Sequence, residues 1–208
     1  MTVLPKWFYN EFQQIGVDFE DTARVEAYDH NQRSSSEEAE RELVEWLGIS
    51  VGHIVIDLGA GTGTFAIQAS KAGARVHAVD VSPTMLAYTQ QKAHAINAQN
   101  IQFHHAGFLS YEHRGDRADF IVTKAAFHHL PDFWKMVALL RMASMLKAGG
   151  FSTFGMWCSR STPVNTTLVS MPGLLEWRSQ QVRALAPVTT RCTFAKNIAR
   201  SDGFSKEC

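Results

Sequence analysis

The chain has 208 residues, with 20 basic and 20 acidic side chains and therefore a formal net charge of zero. This length is enough for an α/β domain with a buried core, and the balanced charge gives no overall attraction to nucleic acid or to a membrane surface. The sequence has no stretch typical of a membrane span, and its N-terminus lacks the pattern of a signal peptide, so we expect a cytoplasmic protein.

Residues 1–48 are predicted to form a helical cap or lid ahead of the main domain. Aromatic side chains crowd residues 4–15. This pattern predicts a helix that packs on the domain, and a lid over a substrate pocket is the alternative. Ser34 and Glu37 have the spacing of a capping box, which predicts that a further helix begins here and ends at Gly48.

The next stretch combines a strand, a glycine-rich turn and the start of a helix. Residues 53–58 are a short β-branched run typical of a buried parallel strand. Residues 59–63 read GAGTG, and a helix is predicted to begin at Thr64. Glycines allow positive φ angles and close approach of a ligand, and the free N–H groups of a helix start favour polar or anionic groups. The combination indicates a site for a nucleotide-type ligand.

The spacing of the glycines favours one kind of ligand. A dinucleotide fingerprint needs glycine or alanine where Thr64 stands, and Asp57 lies two residues before the first glycine. The pattern D-x-G-x-G-x-G resembles motif I of the class I S-adenosylmethionine (SAM)-dependent methyltransferases; a nucleotide oxidoreductase is the alternative. The resemblance implies that the turn and its acid hold the amino-acid end of SAM, through Asp57, Gly59, Ala60, Gly61 and Gly63. The pair Tyr28-Asp29 is predicted to lie in a polar loop, and in similar enzymes such a pair can contact the carboxylate end of SAM; a plain turn is the alternative.

A second acidic residue closes the next predicted strand, residues 75–80. A carboxylate at the tip of this strand can accept hydrogen bonds from both ribose hydroxyls, so Asp80 is predicted to bind the ribose. The alternative is an N-terminal charge that stabilises the following helix. The resemblance also places Val81 and Met85 in the cofactor site, with Met85 on the adenine; the alternative for Met85 is a core position.

The third and fourth predicted strands, residues 101–105 and 118–124, are followed by further candidate residues. Gly107 begins a loop in which the family usually has a carboxylate that binds the adenine amino group. Here Phe108 stands in that position, so a stacking or edge contact is expected instead. Lys124 ends the fourth strand, beside the expected position of the methyl donor, where it points away or orients an acidic substrate.

The segment HHLPD at residues 128–132 resembles the loop after this strand in small-molecule methyltransferases. A histidine can act as a general base near neutral pH, and we name His128 as the candidate catalytic residue; a pair that fixes the loop is the alternative. Residues 132–146 predict an amphipathic helix whose apolar side chains belong to the core. Residues 147–150, KAGG, resemble the turn that leads into the fifth strand.

These landmarks occur in the order found in the class I methyltransferases. The resemblance implies a doubly wound, Rossmann-like α/β fold, with a mostly parallel sheet of order 3-2-1-4-5 and a SAM-binding core over residues 49–157. It further implies SAM-dependent methyl transfer to a small-molecule acceptor; the alternative is a non-catalytic SAM-binding protein or an inactive, truncated homologue. The residues indicate neither a metal site nor a nucleic-acid groove, and they do not indicate an oligomeric state.

The last part of the chain, residues 158–208, differs in composition from the rest. The formal charge is −4 over residues 1–150 (13 basic, 17 acidic) and +4 over residues 151–208 (7 basic, 3 acidic), and all three cysteines lie in the second part. Hydroxyl and arginine side chains replace the apolar residues expected of a fifth strand. A one-base shift of the reading frame permits FYLWDVVFSF from residue 151, which is typical of that strand with an acid in its usual place.

We therefore expect residues from about 151 onward to be translated out of frame; a divergent C-terminal extension is the alternative. The fifth strand would then be poorly formed, and the antiparallel strands six and seven of the family would be missing.

Independent sequencing of the gene across codons 148–152 tests this expectation. We expect a one-base insertion or deletion in this window, because the composition changes where the motifs end. An intact frame in independent reads would contradict it.

Overall fold

A central sheet with helices on both faces forms the described part of the chain. The computed structural model describes residues 5–13, 20–155 and 166–170. The strands are β1 (Ile54–Leu58), β2 (Arg75–Asp80), β3 (Ile101–His105), β4 (Ala118–Lys124), β5 (Leu146–Gly155) and β6 (Thr166–Ser170). The helices are α1 (Thr22–Trp46), α2 (Thr64–Lys71), α3 (Pro83–Ala95) and α4 (Asp132–Met145), with a short 3₁₀ helix at Phe127–His129.

The strand order is β3-β2-β1-β4-β5-β6, which confirms the predicted doubly wound sheet of order 3-2-1-4-5. Strands β1 to β5 pair in parallel and β6 pairs antiparallel to β5. Parallel neighbours need crossover connections, and α2, α3 and α4 supply three of them. The direction of the strand order reverses at β1: β2 and β3 lie on one side of it, and β4 and β5 lie on the other. The connections that follow β1 and β4 therefore lead away from each other.

Strand β1 is buried on both faces and supplies two separate cores. Val55 packs in one core with Phe65 of α2, whereas Ile56 packs in the other with Ile121 of β4 and Met142 of α4. Successive side chains of a strand point to opposite faces, so the unbroken apolar run serves both cores. Each large apolar side chain that is fully buried here stabilises the fold by about 1.5–3 kcal/mol.

Helix α1 is longer than the sequence predicted. It begins after Asp21, whose side chain accepts a hydrogen bond from the backbone N–H of Ala23 at 2.9 Å, and continues without a break through residues 34–36. The helix start predicted at Ser34 is therefore wrong, and Tyr28 and Asp29 lie on this helix rather than in a loop. Of the helices in the described residues, none is both long enough and apolar enough to cross a membrane.

Residues 5–13 form turns rather than the predicted helix. Their aromatic side chains pack against Trp134 of α4: the ring centroids of Phe8 and Trp134 lie 4.7 Å apart, and those of Trp7 and Trp134 6.3 Å apart. These contacts attach the segment to the domain, which does not require a regular helix.

Helix α4 buries only part of its apolar surface. Met142 and Met145 lie in the core as predicted, but Phe133, Met136 and Leu140 are exposed. The predicted core assignment is thus wrong for this second row of side chains, which lies on the other side of the helix.

The structure corrects the expectation of a poorly formed fifth strand, and of the two antiparallel strands expected to be missing, one, β6, is present in the described residues. Strand β5 pairs with β4 on one side and with β6 on the other. The strand begins at Leu146, and its register shifts so that Ala118 lies opposite Leu146 but Phe120 opposite Phe151; the predicted turn at 147–150 is part of this irregularity. Threonine, valine and phenylalanine favour strands, which accounts for pairing despite the hydroxyl-rich composition. The rest of the proposed out-of-frame segment, residues 156–165 and 171–208, lies outside the described residues.

Three histidines lie close together: His77 of β2, His104 of β3 and His113, which follows β3. Nδ1 of His77 and Nε2 of His104 are 3.0 Å apart, and the rings of His77 and His113 are perpendicular with centroids 4.7 Å apart. Burial, together with the neighbouring His113, His104 and Arg75, lowers the pKa of His77 to about 4. His77 is therefore neutral at physiological pH.

This cluster predicts acid-dependent loss of stability. Unfolded His77 takes up a proton near its ordinary pKa of 6.5, whereas the folded residue does so only near 4, so its contribution is lost as the pH falls between these values. We expect the melting temperature of His77→Gln to fall less than that of the unmodified chain between pH 7 and pH 5. The same substitution at exposed His30 on α1 is the control, and equal losses for His77→Gln and the unmodified chain would contradict the prediction.

Candidate functional site

A cavity of about 260 Å³ opens at the carboxyl ends of β1, β2 and β4. In open α/β sheets, ligands bind in this crevice because the strand order reverses there and leaves room between the connections. A larger depression of about 640 Å³ lies on α3, but the residues that line it, 87–95, belong to this single helix. Several elements converge only on the first cavity, so we assign the candidate site to it.

The glycine-rich turn forms the floor of the cavity. Gly59, Gly61 and Gly63 have φ angles of 77°, 55° and 73°, a region that side chains disfavour. The backbone N–H groups of Gly59 and Ala60 donate to the carbonyl of Val79 at 2.8 and 3.0 Å, which fixes the turn against β2. A Cβ atom on Gly61 would meet no atom within 4 Å, so this glycine leaves space open on the cavity side.

Asp80 connects the tip of β2 to this turn. One carboxylate oxygen accepts a hydrogen bond from the backbone N–H of Gly61 and the other from that of Ser82, both at 2.8 Å. Burial raises the pKa of the carboxyl group, and the backbone donors oppose that shift. Each oxygen can accept more than one hydrogen bond. The carboxylate can therefore hold the turn and also accept from a ligand hydroxyl.

Asp57 lies beneath the turn and does not line the cavity. Burial raises its pKa to about 8, helped by the negative charge of Glu40, and the backbone N–H of Ala66 donates to it. Gly63 is also shielded, because a Cβ atom there would lie 2.0 Å from the Thr89 side chain. These two predicted residues support the turn from below, and Ala60 supports it through its bond to β2.

Lys124 lines the cavity at the end of β4 and forms an ion pair with Glu40 of α1. Glu40 is buried, and the sequence analysis did not identify it. The sequence does contain a sign that Glu40 is buried: it precedes Leu43 by three residues and Val44 by four, so it lies on the apolar face of the helix. A charged residue on a buried helix face usually has a specific partner.

Acidic groups dominate the surroundings of the cavity. Among the described residues, Glu11, Glu20 and Asp80 line it, while Lys124 is the one lysine or arginine that does so. Lys124 is in turn paired with Glu40. The site is therefore electronegative, and its charge favours a cationic ligand.

Asp29 of α1 is not among the residues that line the cavity; it holds α1 to α3. Nζ of Lys92 donates to Asp29 at 2.7 Å and to the carbonyl of Thr62 at 3.1 Å, and the Tyr88 hydroxyl donates to Asp29 at 3.1 Å. This network ties α1 and α3 to the glycine turn. Tyr28, its neighbour in the predicted pair, lines the cavity.

The loop after β4 brings a histidine to the cavity, but it is His129 and not the candidate His128. Both rings are exposed, with centroids 4.0 Å apart, and only His129 is among the lining residues. Partial burial and His128 lower the pKa of His129. Ala125, just before, has a φ of 52°, so the loop makes a sharp turn beside the site. Sequence alone could not tell which of two adjacent histidines faces inward.

The remaining predicted residues line one side of the cavity: Val81, Met85, Gly107 and Phe108. Phe108 is buried, and its ring packs edge-on against Phe127 with centroids 5.5 Å apart. Within the described ranges, no group of three or more histidine, cysteine, aspartate or glutamate side chains is arranged to hold a metal ion.

Comparison with known proteins identifies the domain. The profile of the family described as "Methyltransferase domain" matches residues 55–150, which span β1 through the first half of β5. This part of the chain is therefore similar to the class I SAM-dependent methyltransferases. Its motifs thus lie in the order that the resemblance implied.

Individual relatives agree with this assignment. The chain is 29% identical over 100 residues to phosphoethanolamine N-methyltransferase 2 of Caenorhabditis elegans, covering 48% of this chain and 22% of that protein. It is 32% identical over 105 residues to an uncharacterized methyltransferase of Bacillus thuringiensis, covering 50% of this chain and 47% of that protein. The chain thus spans less than half the length of either relative.

Solved structures support the same methyltransferase fold. A putative SAM-dependent methyltransferase of Methanococcus maripaludis superposes with a TM-score of 0.57 at 20% identity, covering 69% of this chain and 67% of that chain. Phosphoethanolamine N-methyltransferase 2 of Haemonchus contortus, solved in complex with SAM, gives 0.55 at 23% identity, covering 68% and 36%.

The two kinds of glycine in the turn predict different costs of substitution. Ala at Gly61 meets only the backbone strain of positive φ, about 1–2 kcal/mol, whereas Ala at Gly63 also collides with Thr89, adding about 1–3 kcal/mol. We expect denaturant unfolding to show Gly63→Ala as clearly less stable than Gly61→Ala.

Gly48→Ala is the matched control, because Gly48 has a φ of 68°, close to that of Gly61, and also meets no atom within 4 Å. Its cost should equal that of Gly61→Ala. Equal stability of the Gly61 and Gly63 variants would show that the contact with Thr89 is unimportant.

Proposed function

We propose that the chain is a SAM-dependent methyltransferase that acts on a small-molecule acceptor. The observation that carries this proposal is Asp80, a buried carboxylate fixed by two backbone N–H groups beside an open glycine turn in an electronegative cavity. When bound, SAM supplies an electrophilic methyl group on a positively charged sulfonium. The residues of the chain have to bind this cofactor, orient it and keep water away from it.

The described residues fit SAM at three points. Asp80 is suited to accept hydrogen bonds from the ribose hydroxyls, and the space beside Gly61 is suited to close approach of the amino-acid end. Val81, Met85 and Phe108 form an apolar side for the base. The sulfonium and ammonium of SAM outweigh its one carboxylate, so its net positive charge matches the acidic lining.

The acceptor side of the cavity is closed by aromatic and polar groups. Tyr9 and His129 both line it, and the Tyr9 hydroxyl donates to the carbonyl of His129 at 3.4 Å. Residues 5–13 thus cover the opening from one side, which supports the cap or lid assigned to residues 1–48. Methyl transfer depends largely on alignment of the donor with the nucleophile. If the nucleophile must lose a proton, His129 is the better-placed base, in preference to His128.

A non-catalytic SAM-binding protein remains the second candidate, because Phe108 replaces the acid that the family resemblance implies on the adenine. The oxidoreductase alternative loses support because the methyltransferase profile matches the same residues that formed the nucleotide motif. The small cavity supports the further proposal of a small acceptor, and a cytoplasmic location also stays a proposal. The out-of-frame origin of residues 151–208 also stays a proposal.

Isothermal titration with SAM and S-adenosylhomocysteine tests cofactor binding. We expect a dissociation constant of about 1–100 μM, and at least a 100-fold loss in Asp80→Ala, because two charge-assisted hydrogen bonds to the ribose disappear. Asp116→Ala, at a highly exposed acid before β4, is the control and should bind normally.

Thermal melts establish that each variant is folded. A folded, unmodified chain that binds neither compound, or an Asp80→Ala variant with unchanged affinity, would refute the proposal. Binding without turnover over a broad acceptor screen would favour the non-catalytic alternative.

A further inference from the structure

Glu11 has a carboxylate oxygen that the fold does not use. Its Oε2 accepts a hydrogen bond from the backbone N–H of Leu109 at 2.7 Å, which ties the segment of residues 5–13 to the loop after β3. Its Oε1 is buried and has no hydrogen-bond partner within the described parts of the chain. A buried acceptor without a donor is unfavourable, and native structures usually satisfy it. An unused acceptor beside a cavity therefore points to a ligand donor.

The loop after β3 is shaped to receive this carboxylate. A Cβ atom on Gly107 would lie 2.5 Å from Oε2 of Glu11 and 2.8 Å from Cγ1 of Val81. A side chain at this position would push the carboxylate of Glu11 away from the backbone. Gly107 is therefore explained by contact with Glu11 as well as by the turn itself.

A second contact holds the same segment in place. The ring of Phe12 packs edge-on against His105 with centroids 5.4 Å apart, and Nε2 of His105 lies 2.9 Å from the carbonyl of Val81. The segment is thus held at the end of β3 by His105 and, in the loop that follows, by Leu109. The carboxylate of Glu11 does not depend on a single hydrogen bond for its position.

The polarity of the cavity determines which part of a nucleoside would meet Glu11. Asp80 is bonded to the backbone of the glycine turn, which is polar. The lining residues Val81, Met85 and Phe108 are apolar and suited to the faces of a flat base. Glu11 lies beside Val81, because a Cβ atom on Gly107 would collide with both side chains. A ribose on Asp80 therefore directs its base toward Glu11.

We propose that Glu11 reads the base of the cofactor: its carboxylate accepts a hydrogen bond from the exocyclic amino group of the purine. This inference rests on the proposed function, because it takes Asp80 as the ribose site. Glu11, from residues 5–13, would then replace the carboxylate that the family usually has at the position of Phe108. It also makes the N-terminal segment a specificity element for the aminopurine, in addition to its contacts with α4.

The test compares S-adenosylhomocysteine with S-inosylhomocysteine, in which a carbonyl oxygen replaces the amino group. Titration calorimetry of the full chain should give a preference of about 10- to 100-fold for the adenosyl compound, the effect of one hydrogen bond to a charged group. Glu11→Ala should lose this preference, mainly through weaker binding of the adenosyl compound.

Glu11→Gln gives the more specific prediction. The amide oxygen must keep the hydrogen bond from the Leu109 N–H, so the amide NH₂ group faces the base in place of Oε1. This donor opposes an amino group and suits a carbonyl oxygen. We expect the preference to invert, with S-inosylhomocysteine binding more tightly than S-adenosylhomocysteine. Glu42→Gln, at an exposed position of α1, is the control and should keep the original preference.

The outcomes separate the two proposals. If the unmodified chain binds neither compound, the proposed cofactor site is wrong. If it binds both, but Glu11→Ala and Glu11→Gln weaken both to the same degree, Glu11 only tethers the segment and base reading is refuted. If the unmodified chain shows no preference between the two compounds, base reading is likewise refuted while cofactor binding stands.

Discussion

The hydrogen bond from the backbone N–H of Gly61 to Asp80 joins two parts of the domain that the sequence separates. It fixes the glycine turn after β1 against the tip of β2, and the bonds from Gly59 and Ala60 to Val79 strengthen the same connection. The cavity exists because this turn adopts positive φ angles and stays close to β2. Thr89, Lys92 and Asp57 act on it from below and from the side.

The fold was largely predictable because its signals are local and occur in order. A buried β-branched run, a glycine turn and a strand that ends in Asp80 determine the switch point of the sheet, and each is visible within a few residues. The errors arose where local signals compete with tertiary contacts. The capping box at Ser34 was overridden by continuation of α1, which Asp29 holds to Lys92. The pairing of β5 was not predicted, because its threonine and serine residues are compatible with a strand but do not give the apolar pattern expected of one.

The site was predictable only where its residues follow a motif. Asp80 was named from its position at the end of β2, and Met85, Gly107 and Lys124 from the family resemblance; all four line the cavity. Glu11 and Glu40 were not found, because their partners, Leu109 and Lys124, are distant in sequence and no motif contains them. Which of His128 and His129 faces the cavity depends on how the 3₁₀ helix is oriented, and the sequence of two adjacent histidines does not show this orientation.

The crystal structure of the chain bound to S-adenosylhomocysteine would test this account most directly. We predict that the ribose hydroxyls lie within hydrogen-bond distance of the Asp80 carboxylate, with the amino-acid end over the glycine turn. A ligand bound elsewhere, or a ribose that makes no contact with Asp80, would contradict the account.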